Sequence, residues 1–248
     1  MRSYREELMR RSLAFFHKGK IAQADQAAAE AVLIFPDDGE LWQLHGLLRQ
    51  RLGDHDRACS ALETAGLLVP LSPAAQCALA DCHARAGRKE LARELYRNLV
   101  RVRSCPTSLL ASVASGLGGI GDDAAALDVY HELAQREPNR HDALFGVAYH
   151  MRLIGHAPEE ILPVIDRAQN IAPEITVYRV LKASLLAQLG RFDEACEALR
   201  DAKPRALGCS GCLRRVMTFL DGGRTDEFLE TFREHADRIS GCRQDELP

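Results

Sequence analysis

Six glycines, Gly19, Gly53, Gly87, Gly121, Gly155 and Gly190, recur at intervals of 34, 34, 34, 34 and 35 residues in a chain of 248. A fixed period of that length is the sequence signature of stacked helical repeats. Each glycine sits in a similar frame, an apolar run before it and a short polar stretch followed by an Ala-rich run after it. The segments RLGDHDRACSAL, RAGRKELAREL, GIGDDAAALDV and QLGRFDEACEAL are the clearest copies.

The first interval shows how the frame reads as structure. Leu8, Met9, Leu13, Phe15 and Phe16 form an apolar stripe at helical spacing. Gly19 ends that helix, because glycine takes the left-handed conformation past a helix C-terminus without steric cost. The run IAQADQAAAEAVLIF forms a second helix, and Pro36, which has no amide to donate, stops it. The whole chain is therefore expected to be all-α, a single array of stacked helix–turn–helix units, with 46% hydrophobic residues to fill a continuous core.

In this frame the chain resembles the tetratricopeptide repeat family over residues 5 to about 204. The second interval matches at Trp42, Gly46, Ala58, Leu62, Ala65 and Pro70, and departs at Arg49, where the family takes an aromatic. The third has Ala80, Ala92 and Tyr96, with polar Gln76 and His83 departing. The fourth matches at Leu110, Ala114, Leu117, Ala126, Tyr130 and Pro138. In the fifth, Leu144, Ala148 and Met151 fit and Glu160 stands for the central Ala. In the sixth, Ala183, Leu186, Ala195, Leu199 and Ala202 fit and Arg179 breaks the pattern. The resemblance implies a right-handed α-solenoid with six repeats in 1–204. Residues 205–248 then read as a divergent seventh hairpin that caps the stack, with a frayed tail. Small residues let the two helices of a unit approach, large ones fill the next gap, and Trp42 and Tyr130 are core residues in this reading.

Several motifs point elsewhere and are weaker. Gly116, Gly118 and Gly121 satisfy the dinucleotide spacing G-x-G-x-x-G, but that motif works only between a strand and a helix, and here the repeat runs through it. The expected effect is an early end to that helix and a small bare patch on the groove. Cys209-x-x-Cys212 opens the last hairpin and Cys242 follows it, so three thiols converge; free thiols, a structural zinc clip and a redox pair remain open. Cys59, Cys77, Cys82 and Cys196 read as buried reduced thiols. The histidines, among them His17, His45, His55, His83 and His156, fall near helix ends or turns and are expected to be solvated or to cap.

No catalytic constellation is present in the sequence, so the expected role is non-catalytic binding, with no cofactor beyond the zinc of a clip at the C-terminal cysteines. Net charge is −3, which gives no bulk attraction to nucleic acid or anionic lipid. No apolar run approaches the ~20 residues of a membrane span, and no signal-type apolar region opens the sequence, so a cytoplasmic protein is expected. The resemblance places the first helix of each unit on a concave face. A partner peptide or helix would there meet Met9, Leu13 and Phe16, then Gln43 and Leu47, then Asp81 and Arg85, then the aromatic–arginine patch Phe145, Tyr149 and Arg152. The family's carboxylate clamp is not expected, since Met9, Gln43 and Cys77 replace its Lys, and Leu13, Leu47 and Asp81 its Asn. An alternative is a secretion or assembly chaperone that holds an apolar client against Met9, Leu13 and Phe16. Another is a metal- or redox-responsive regulator built on Cys209, Cys212 and Cys242.

Overall fold

The computed structural model describes residues 2–101 and 105–199, which hold twelve helices and no strand. They pair as hairpins: α1 (Arg2–His17) with α2 (Ile21–Ile34), α3 (Gly39–Arg51) with α4 (His55–Leu68), and α5 (Pro73–Arg85) with α6 (Lys89–Arg101). The series continues with α7 (Thr107–Gly119) and α8 (Asp123–Arg136), α9 (His141–Leu153) and α10 (Pro158–Ile171), and α11 (Thr176–Gln188) and α12 (Phe192–Leu199). The chain divides into two compact units, one ending at Val129 and one beginning at Tyr130. Cys209, Cys212, Cys242 and the residues 205–248 expected to form a seventh hairpin lie outside the described residues.

All six periodic glycines have positive φ, from 71° to 90°. Around each, the next residue's amide donates to the carbonyl five residues back: Lys20 to Phe15 (3.0 Å), Asp54 to Arg49 (3.0 Å) and Arg88 to His83 (2.9 Å). Asp122 to Leu117, His156 to Met151 and Arg191 to Leu186 repeat it. This bond satisfies a carbonyl that a helix end would leave unpaired, and it fixes the angle at which the second helix starts back.

The interval of 35 residues has a local cause. The second helix starts two residues after the glycine in the other hairpins, and three after Gly155, at Pro158. Burial follows the helix start. The residue five after the glycine is fully buried at Ala24, Ala58, Ala92, Ala126 and Ala195; in the fifth hairpin Ile161 is buried and Glu160 is exposed. The fifth central position is therefore Ile161, not Glu160, because one residue inserted in the turn advances the register.

Close approach of paired helices rests on small side chains. A Cβ on Gly46 would stand 2.6 Å from the Leu62 side chain, and Ala80, Ala114, Ala148 and Ala183 are buried. Ser12, also buried, takes this place in the first hairpin and donates to the Ala24 carbonyl at 2.8 Å. Trp42 packs on Leu8, Ala31, Val32 and Leu41, with its indole N–H donating to the Pro36 carbonyl at 2.8 Å. Tyr130 stacks on His150 at 5.5 Å, and its ring fills the space a Gly146 side chain would need.

The glycine-rich segment does not shorten its helix: α7 has 13 residues, as do α5 and α9. Its glycines do different things. Gly116 admits the buried Tyr96 ring, Gly121 makes the left-handed turn, and Gly119 faces open space. Gly119→Ala should therefore raise stability by about 0.5–1 kcal/mol, by the ordinary helix-propensity difference. Gly116→Ala should lower it by about 1–3 kcal/mol through overpacking, and Gly121→Ala by about 1–2 kcal/mol. Urea denaturation of the three variants checks the order.

Asp38 caps α3, accepting from the amides of Glu40 (3.1 Å) and Leu41 (3.2 Å), and pairs with Arg5 of α1 at 2.5 Å. The Arg5 hydrogen bond is the largest influence holding this carboxyl below its ordinary range. A depressed carboxylate stabilises the fold fully above the unfolded pKa and loses that contribution as pH falls through the folded value. Asp38→Ala should cost about 1–2 kcal/mol at neutral pH, mostly from the lost cap because the ion pair is part-solvated. The gap from wild type should narrow below the ordinary aspartate range, which thermal melts across acid pH would show.

Candidate functional site

The first helices of the hairpins build a cleft of about 420 Å³ in the unit ending at Val129. Leu13 and Phe16 of α1, Leu44 and Leu47 of α3, Ala78 of α5 and Leu109 of α7 give it an apolar lining. Gln50, Arg51, Asp81 and Ser112 supply the polar groups. The Arg51 guanidinium lies 5.3 Å from the Phe16 ring centroid, a cation–π contact on the rim. Leu13 stands 38% exposed at this cleft.

Asp81 is the polar hinge between this cleft and a second, more open one of about 600 Å³. Its carboxylate accepts from Gln50 Nε2 at 3.0 Å and from the Tyr96 hydroxyl. Burial pushes its pKa up, against the pull of those two donors. Arg85 and Lys89 line the second cleft, and Gly116 and Gly119 form the side-chain-free part of its wall. That is the bare patch expected from the glycine run.

The remaining predicted residues are dispersed. Met9 shares a separate shallow hollow with Leu13 and His17. Gln43 is occupied in structure, its side-chain oxygen accepting from the Ser72 amide at 2.9 Å. Cys77, which aligns with the clamp, is buried. In the unit beginning at Tyr130, Phe145 lies 6.0 Å from Tyr149 and 5.0 Å from Tyr178 between ring centroids, and the Arg152 guanidinium lies 5.5 Å from the Tyr149 ring. Sequence reasoning did not include Tyr178, whose hydroxyl meets His141 Nδ1 at 2.7 Å. A tyrosine 33 residues beyond Phe145, close to the repeat length, was the available signal.

The histidines divide. His17 and His156 are exposed, as expected, but His45 and His83 are buried inside helices. His45 Nδ1 stands 3.0 Å from the buried Asp25 carboxylate, and Arg49 reaches that carboxylate at 3.0 Å and Asp54 at 3.1 Å. Burial pushes the His45 imidazole below its ordinary pKa, opposed by Asp25. Arg49, anomalous in the repeat pattern, is thus the counter-ion of a buried aspartate.

One junction further on, His83 of α5 meets Cys59 of α4, with Sγ to Nδ1 at 4.0 Å. Glu63, one turn after Cys59, places a carboxylate oxygen 3.5 Å from Sγ and 4.0 Å from His83 Nε2. Arg88 reaches both, at 3.0 Å from the sulfur and 3.5 Å from Glu63. Among the described residues this is the cluster with metal-ligand chemistry. Cys59, Cys77 and Cys82 are buried thiols and Cys196, expected buried, is half-buried; burial pushes Cys77 up to about 12 and Cys82 up to about 11, which keeps both protonated.

Family models of the tetratricopeptide repeat match residues 44–108 and 178–203. No curated protein matches the sequence. Solved structures share the fold. YrrB, described as a TPR protein with an unusual peptide-binding site, aligns with TM-score 0.61 at 12% identity, over 85% of this chain and 99% of its own. The C-terminal part of a TPR protein from Cytophaga hutchinsonii aligns with TM-score 0.69 at 10% identity, over 93% and 95%. Pseudomonas aeruginosa pilF aligns with TM-score 0.63 at 17% identity, over 81% and 91%. At such identities the likeness speaks to fold. Residues 44–108 and 178–203 are tetratricopeptide repeats, set in a 34-residue frame of paired helices and six left-handed turns.

Proposed function

We propose that this protein is a non-catalytic scaffold that holds a segment of a partner protein against the first helices of its hairpins. One apolar side chain of the segment sits in the cleft formed by Leu13, Phe16, Leu44, Leu47 and Leu109. The observation behind this reading is that every residue lining the cleft belongs to α1, α3, α5 or α7, and that its apolar floor carries a polar rim. A pocket of this size takes an aliphatic or aromatic anchor, and Gln50, Asp81 and Arg51 stand where they meet the backbone or flanking side chains of a peptide. In the unit beginning at Tyr130, Phe145, Tyr149 and Arg152 form a separate patch of hot-spot composition. Met9 lines the hollow beside Leu13, Arg85 lines the second cleft, and Gln43 holds the neighbouring hairpin in place.

The fold is that of interaction scaffolds, and YrrB is described as a peptide binder, which is consistent with this role. Among the described residues no helix is long and apolar enough to cross a membrane. The buried thiols of Cys59, Cys77 and Cys82 suit a reducing cytoplasm, where we place the protein.

A displayed library of random peptides selected on the full chain tests the reading. Selected peptides should carry a large apolar residue and bind Leu13→Asp at least about ten-fold more weakly than wild type. Tyr149→Ala/Arg152→Ala, in the other unit, should stay folded, as thermal melts would show. Equal binding to wild type and Leu13→Asp would place recognition outside the cleft and overturn the proposal.

A further inference from the structure

We propose that Cys59, Glu63 and His83 form a binding site for a zinc-type divalent cation that ties the second hairpin to the third. Cys59 and Glu63 are four residues apart on α4 and therefore share one helix face. His83 comes from α5, which packs on that face. A thiolate, a carboxylate and an imidazole are the donors that tetrahedral zinc takes, with water in the fourth position. One ligand atom from each residue lies within 4.8 Å of the others. Zinc bond lengths set the corresponding edges at about 3.3–3.6 Å. The Cys59–Glu63 edge, at 3.5 Å, already has this length, the Cys59–His83 edge closes from 4.0 Å by about 0.5 Å, and Glu63, about half exposed, adjusts to the imidazole by a rotamer change.

A second observation points the same way: the cluster already holds a cation. The Arg88 guanidinium sits 3.0 Å from the Cys59 sulfur and 3.5 Å from Glu63. Arg88 is on the surface, just after the left-handed Gly87, so it can swing to solvent and leave both donors facing the vacated space. Metal binding then replaces the Cys59 S–H bond with an S–metal bond, and the proton leaves to solvent. The sequence bears on it too, because His83 stands where the repeat takes an aromatic.

The test is a Co²⁺ titration of the reduced full chain carrying Cys209→Ser/Cys212→Ser/Cys242→Ser, so that the C-terminal thiols give no signal. A thiolate-to-cobalt charge-transfer band should appear, be displaced by Zn²⁺, and vanish in Cys59→Ser. Glu63→Gln, at an exposed position that leaves folding unchanged, should keep the band and weaken Co²⁺ roughly ten-fold or more. Arg88→Ala should tighten it. No band in the starting protein, a band that survives Cys59→Ser, or a Glu63→Gln titration identical to the parent would overturn the site. Should Cys59→Ser fail to fold, the Glu63→Gln titration decides.

Discussion

The hydrogen bond from the residue after each left-handed glycine to the carbonyl five back is the constraint on which the other contacts depend. It ends the first helix and starts the second at one fixed angle, six times. Only with that angle fixed do Gly46 and Leu62 meet at contact distance. The same angle brings the first helices of successive hairpins side by side, which is how residues of α1, α3, α5 and α7 come to line one cleft. Isolated hairpins would leave these faces in water, so stacking supplies most of the stability.

Polar chemistry enters the core at the junctions between hairpins. Asp25 and Arg49 form one pair, and Cys59 and His83, each 34 residues on, form the next. Leu162 of the fifth hairpin and Leu186 of the sixth stand at corresponding positions and are buried. An apolar pair there would be simpler, since a buried ion pair recovers little more than its desolvation cost. The polar pairs are thus departures from what packing alone requires. One is self-neutralising; the other is a donor set with an arginine across it.

The sequence showed both anomalies without their partners. Arg49 and His83 stood out as departures from the aromatic position, yet the residues they meet lie 24 positions earlier, on another hairpin. The same distance hid the role of the glycine run. Gly116 is small because Tyr96 of the preceding hairpin needs its space, and no local pattern contains that fact. The error at Glu160 was of another kind. The extra residue in the fifth interval was visible as 35 rather than 34, but whether it lay in a helix or a turn depended on where Pro158 starts α10.

Period, turn chemistry and small-residue spacing determined the helices, their pairing and their stacking, because these follow from backbone geometry within one repeat. The tertiary structure alone decided which side chains meet across junctions, which of the predicted contact residues line a cleft, and which are spent on holding it. Gln50 reaches Asp81 across 31 residues and Arg5 reaches Asp38 across 33. Such contacts join residues on different hairpins, so they depend on packing distances of a few tenths of an ångström. A periodic sequence does not encode those distances one repeat at a time.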